Sequence, residues 1–125
     1  MKRLNLFTFL LIFLTFACHN KEFNSYVGTY DCIKSIHSWE PGQPNVYENT
    51  AGETVNVLRD KKLIKVFDLF VDIREISPDE TYRKGTDDSY QSIRFSDNKI
   101  YYLEHTSAGG GGYEISYIGP KILQE

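Results

Sequence analysis

From Ser25 onward the chain alternates apolar and polar residues with a period of two, interrupted by turn-forming residues every eight to twelve positions. Tyr113, Ile115 and Tyr117 alternate with Glu114 and Ser116, and Val55 and Val57 with Thr54 and Asn56. Tyr30 and Cys32 share one face of their segment and Asp31 takes the other. Successive side chains of a strand leave on opposite faces, so this pattern builds half-buried strands. No stretch of this region carries a convincing helical stripe. Only Val66 to Ile76 is ambiguous, because Val66, Phe67, Leu69, Phe70, Ile73 and Ile76 also fit a helix turn.

The punctuation divides the region into short elements. Tyr26 to Ile36 reads as a long first strand, with Gly28 easing a bend. Trp39 to Asn49 contains Pro41, Gly42 and Pro44 and reads as a loop or irregular hairpin. Thr54 to Arg59 and Lys62 to Phe67 flank a tight turn at Asp60-Lys61, and Leu69 to Ile76 ends at Ser77-Pro78-Asp79. A short strand at Glu80 to Lys84 precedes a turn at Gly85 to Asp88. Tyr90 to Phe95 and Lys99 to Thr106 are joined by Ser96-Asp97-Asn98, the strongest hairpin signal in the chain. That turn leads us to expect Tyr101 and Leu103 on the face of Ile93 and Phe95. Gly109 to Gly112 is a glycine loop, and the last strand closes at Gly119-Pro120. The expected fold is all-β: a small antiparallel meandering barrel or sandwich of about seven to eight strands after an N-terminal signal peptide.

That leader is residues 1–17. Met1-Lys2-Arg3 precedes an apolar run from Leu4 to Ala17, the layout of a secretory signal peptide. The run falls short of the roughly 20 residues needed to span a hydrocarbon core of about 30 Å. Its apolar side chains point all around a helix, which rules out a surface helix with one polar face. Leu14-Thr15-Phe16-Ala17-Cys18 resembles the lipobox of bacterial lipoproteins, with Thr15 and Phe16 departing from the commonest residues. The resemblance implies cleavage before Cys18, lipid on its thiol, and a membrane anchor. Several acyl chains hold firmly where one would not, since each buried methylene contributes about 0.8 kcal/mol. His19 rather than Asp after the cysteine implies, in envelopes with the best-known sorting rule, the outer membrane. Residues 18–24 would then form a tether, and 25–125 a β-barrel-like domain.

Removing Lys2 and Arg3, the only charges of the leader, takes the formal charge from −3 to −5. Mild acidity without clustered Lys and Arg argues against nucleic acid. With Cys18 lipidated, Cys32 has no intramolecular partner and reads as a buried apolar residue of a strand. Gly28-Thr29-Tyr30 and the closing Tyr113-to-Ile122 segment with Gly119 resemble the small lipocalin-like lipoproteins of bacterial envelopes. The Gly-x-Trp opening of true lipocalins is replaced here by Gly28-Thr29-Tyr30.

Chemistry-bearing constellations are sparse, and neither an enzyme nor a cofactor is expected. Glu104 and His105 are strand neighbours and face opposite ways, so they cannot chelate one ion. A metal site would have to be assembled from His37, His105 and a carboxylate, and none is expected at the observed spacing. Cys32 with either histidine is the only nucleophilic pairing worth naming, and no flanking motif supports it. Gly109 to Gly112 leads into a strand, not a helix carrying a Lys, so it does not read as a phosphate cradle.

The expected role is a non-enzymatic interaction or structural module, with lipocalin-like binding of a small apolar ligand as the alternative. The partners are then a membrane, through lipid on Cys18, and either an unknown protein or that ligand. Trp39, Tyr30, Tyr101 and Tyr113 are the candidate contacts. In the ligand reading Tyr30, Phe95, Tyr101, Leu103 and Tyr113 line a cavity; in the other they fill the core, and Trp39 and the glycine loop meet a partner. The 108 residues from Cys18 leave little volume for a cavity, which favours the second.

Overall fold

The computed structural model describes residues 25–123. The leader, Cys18 and the whole tether, residues 18–24, lie outside the described residues. Eight strands follow in order: β1 (Gly28–Trp39), β2 (Val46–Asp60), β3 (Leu63–Val66), β4 (Leu69–Asp72), β5 (Tyr82–Gly85), β6 (Ser89–Ser96), β7 (Lys99–Ala108) and β8 (Gly111–Pro120). A short 3-10 helix, Ile73–Glu75, follows β4. They form one antiparallel sheet in the order β4-β3-β2-β1-β8-β7-β6-β5, curled into a half-barrel. The architecture is therefore the expected all-β class, built as a single curled sheet. Hairpins succeed one another except after β4, where the chain crosses to the far edge and returns to lay β8 beside β1.

Four hairpins turn on two residues each, and backbone sign explains them. Asp97 and Asn98 both have positive φ (53° and 60°), as do Gly109 and Gly110 (59° and 82°). Two left-handed residues make the turn whose twist matches that of the flanking strands. Ser96 therefore pairs with Lys99, not with a residue beyond it, which sets Phe95 opposite Ile100 and Ile93 opposite Tyr102. This corrects the expectation for Tyr101 and Leu103, which lie on the opposite face. Treating Ser96 as a third turn residue moves the partner strand by one, and a shift of one flips every side chain. The glycine loop is likewise shorter than the run of glycines: Gly111 and Gly112 already belong to β8.

The other two turns use Lys61 (φ 55°) and Phe67 (φ 53°). A bulky residue in the left-handed region costs roughly 1–2 kcal/mol. Phe67 recovers it by lodging against Tyr102 and Tyr117, with ring centroids 5.0 and 4.9 Å apart. Asp68 beside it accepts a hydrogen bond from Gln91 Nε2 on β6 at 2.6 Å. These contacts fold the β3–β4 hairpin over the concave face of β6, β7 and β8.

Beneath that cover the concave face is filled. Tyr30, Cys32, Val55, Val57, Ile64, Val66, Leu69, Val71, Ile93, Phe95, Ile100 and Tyr102 are all 5 % exposed or less. Burying each of the aliphatic ones contributes about 1.5–3 kcal/mol. Tyr26 stacks on Phe95 at 4.5 Å and its carbonyl accepts the Tyr30 hydroxyl at 2.7 Å, plugging the end where the chain enters. Burial pushes the Cys32 thiol up to about 11, with the neighbouring Asp31 charge adding to it, so the thiol stays protonated. Val66 to Ile76, the ambiguous segment, resolves into the end of β3, β4 and the 3-10 turn. There the Asp72 carboxylate caps the turn, accepting from the Arg74 amide at 2.9 Å.

Candidate functional site

The curl covers only one half of the long strands. β3 pairs with β2 from Val57 to Asp60, and the buried residues of β1 end at Cys32. Beyond that level the later part of β1, the start of β2, the end of β7 and the start of β8 continue as a sheet with no residue fully buried on either face. Each rung sets side chains of adjacent strands side by side, and one rung carries nearly all the chemistry.

Tyr47 on β2 lies opposite His37 on β1, His37 opposite Glu114 on β8, Glu114 opposite His105 on β7, and His105 opposite Tyr90 on β6. All five occupy the convex face, because Tyr102 and Glu104, which alternate with His105, belong to the concave one. The His37 and Tyr47 rings stack 4.4 Å apart and nearly parallel at 4°, and the Tyr90 and His105 rings stack at 4.8 Å. Arg83 on β5 closes the row, its guanidinium 3.6 Å from the Tyr90 ring centre, a favourable cation–π distance. Trp39 lies across the row, 5.0 Å from His37 and 5.7 Å from His105. It can do so because its lateral neighbour is Gly112. A Cβ there would stand 2.7 Å from the indole Cζ2.

Glu114 binds the centre of the row. His105 Nδ1 is 2.9 Å from one carboxylate oxygen, and His37 Nδ1 is 4.0 Å from the other. Since a carboxylate only accepts, the His105 Nδ1 carries the proton. In the neutral ring its Nε2 then accepts from the Ser107 hydroxyl, 3.3 Å away. His37 Nε2 is buried and has no hydrogen-bond partner among the described residues.

Ser107, His105 and Glu114 have the connectivity of a nucleophile, a base and its orienting carboxylate. The surroundings do not complete such a site. Ser107 sits on a regular strand and its amide is committed to the Asp88 carbonyl at 2.8 Å, so it is not free to hold an oxyanion. Metal binding fares no better: no group of three His, Cys, Asp or Glu among the described residues is placed to hold an ion.

The sequence-derived contact residues are scattered by the fold. Trp39 is not in a loop: it ends β1 and joins the convex row. Tyr30 is 2 % exposed, inside the core. Tyr101 lies on the convex face under Arg94, whose guanidinium is 4.1 Å from its ring. Tyr113 is 43 % exposed on the concave side, opposite Thr106. The set proposed to line a cavity is divided between two faces of the sheet and lines no common one: Tyr30 and Phe95 border an open cleft beside Tyr26, and Tyr113 borders another beside Pro41.

Sequence reasoning names His37, His105 and Trp39 singly and considers the two histidines with an unspecified carboxylate, but it misses the row that they form with Glu114, Tyr47 and Tyr90. Its local trace is the spacing of two between His37 and Trp39, and again between His105 and Ser107. What unites them is the pairing of β1 with β8, from opposite ends of the domain, and no local pattern gives that register.

On the concave face a second polar network anchors the hairpin cover. Gln91 Nε2 donates to the Tyr102 oxygen at 3.0 Å, and the Tyr102 hydroxyl donates to Glu104. Burial first, and the bond to Glu104 second, push the Tyr102 hydroxyl well above its ordinary value. It is a neutral structural donor.

No helix among the described residues is long and apolar enough to cross a membrane. No protein-family model, curated protein or solved structure matches this chain.

Proposed function

We propose that this chain is a lipid-anchored envelope protein, tethered through Cys18, whose β domain is a non-enzymatic interaction module. The observation that carries the reading is the division of the sheet. Its curled half is filled by its own side chains, whereas in its flat half no residue is fully buried on either face. A ligand barrel needs the reverse, an enclosed apolar space of several hundred Å3. Here that space holds Tyr30, Phe95, Ile100 and Tyr102, with Phe67 and Tyr26 at its margins.

Position supports the same reading. The chain enters at Ser25, beside the curled half, and β1 carries it from Gly28 to Trp39. At 3.3 Å per residue that strand is about 35 Å long. A domain anchored through Cys18 would hold its flat half far from the bilayer, where a partner can reach it. The anchor itself rests on the Leu14-to-Cys18 segment and a leader too short to span.

Native mass spectrometry of the purified protein tests the module reading. A bare protein mass, unchanged after incubation with lipids and hydrophobic metabolites, is expected. A reproducible extra mass that disappears on denaturation would replace it with the ligand-binding one. For the anchor, Cys18→Ala should release the protein from the membrane fraction with its fold intact. Retention of that variant after a carbonate wash would remove the lipid from the argument.

A further inference from the structure

We infer that the open edge of β2, from Val46 to Asn56, is a docking site for an extended basic segment of another protein, added as a further strand; this rests on the interaction-module reading. A sheet edge presents unpaired amides and carbonyls, and folds normally blunt it by keeping edge strands short or charged. The two outermost strands follow that rule. β4 and β5 have four residues each, and β5 carries Arg83 and Lys84. β2 breaks it. It is fifteen residues long, β1 pairs along it from Val46 to Val57, and β3 takes its other side only from Val57. Among the described residues, nothing pairs with that side between Val46 and Asn56. Val46 through Gly52 are all exposed.

The charge along this edge selects the partner. Between Val46 and Leu58 the only ionisable side chains besides Tyr47 are Glu48 and Glu53, with no lysine to repel a basic strand. Both lie on the concave face, since Glu48 is opposite Ile36 and Glu53 opposite Cys32. The face is kept because a bulge at Ala51–Gly52, with Gly52 at φ 77°, inserts one extra residue between Thr50 and Glu53. Four steps of β1 separate their partners, so the two carboxylates stand about 13 Å apart along the edge. An incoming strand with Lys or Arg at positions four residues apart on one face matches both. Lys34, the nearest cation on that face, is turned toward β8, its Nζ 5.8 Å from the Tyr117 ring centre. On the convex side Tyr47, 67 % exposed and stacked on His37 through one face, offers the ring's other face to the newcomer. Pairing with a second copy is disfavoured, because it would bring another pair of glutamates to the same edge.

The test is hydrogen exchange of the full chain with two synthetic peptides, one with lysines four residues apart in a Thr/Val background and one with glutamates in their place. The lysine peptide should slow exchange severalfold at amides between Val46 and Asn56, and the glutamate peptide should not. The double variant Glu48→Lys/Glu53→Lys should reverse that preference while leaving exchange in the core unchanged. Equal effects of both peptides, protection elsewhere, or edge amides already protected in the chain alone would overturn the proposal, as would dimerisation through this edge in light scattering. A peptide failure alongside a bare native mass removes this edge and leaves the module reading standing. A bound apolar ligand in the native mass removes the module reading whatever the peptides do.

Discussion

The same four strands, β1, β2, β7 and β8, run through both halves of the sheet and behave differently in each. In the curled half Tyr30, Cys32, Val55, Ile100 and Tyr102 are sealed from solvent. In the flat half Ile36 and Ile115 occupy equivalent concave positions and stay half-buried, and Val46 is 50 % exposed. Burial alternates cleanly along the curled half of β2, from Glu53 to Leu58, whereas in the flat half Val46 to Gly52 are exposed throughout and a bulge interrupts the strand. The difference is the β3–β4 hairpin, which lies over one half and ends before the other. The curled half therefore draws on apolar burial, and the flat half on lateral ring stacking and one central carboxylate.

The sharpest way to break this comparison is to truncate one side chain in each half. Ile100→Ala should cost about 2–5 kcal/mol in urea unfolding, as a cavity opens in a packed layer. Tyr47→Ala removes one end of the stacked row and should cost less than about 1 kcal/mol. Similar losses would mean that the flat half is as much a part of the core as the curled one.

Gly112→Ala should cost about 1–3 kcal/mol through overpacking against Trp39 and the Thr106 carbonyl. Since Trp39 is the only tryptophan, its fluorescence should shift with the substitution. An unchanged spectrum would mean that the indole does not rest on residue 112. Glu114→Gln should cost about 1 kcal/mol, as expected for weakening one partly solvated hydrogen bond. Its diagnostic is local: the His105 and His37 ring resonances should move while methyl signals of Val57 and Ile100 stay fixed. Movement of the core methyls would show that the two halves are coupled.

The smallest effect lies on the curled half's margin. Hydrogen bonds from the Arg74 side chain and then its amide hold the Asp72 carboxyl down to about 2. A carboxyl depressed on folding stabilises the fold above its unfolded value, and that contribution is lost as pH falls toward 2. Carboxyl NMR should show Asp72 titrating near 2 in the folded protein, and Asp72→Asn should remove that acid-sensitive contribution. An ordinary carboxylate midpoint would show that the cap is not formed in solution.

How much of this was legible can be followed residue by residue. Alternation placed Tyr30 and Cys32 on one face and Val55 with Val57, and both assignments hold in the structure. It separated Glu104 from His105, and the two do lie on opposite faces. It failed at Tyr101 and Leu103, where the outcome depended on whether a turn used two residues or three. It fails again at Trp39, because Pro41, Gly42 and Pro44 point to a loop starting there, whereas β1 runs on to Trp39 through its pairing with β8.

The sequence by itself determined that this domain is all-β, which residues alternate, and where most chain reversals occur, because those properties are written in neighbours a few positions apart. Only the tertiary structure decided which half of each strand is covered and which side chains share a rung. His37, Glu114 and His105 are brought together by hydrogen bonds between β1, β8 and β7, from the two ends of the domain. The register of those bonds depends on turn length and on what packs against each face, quantities that no short window of sequence contains.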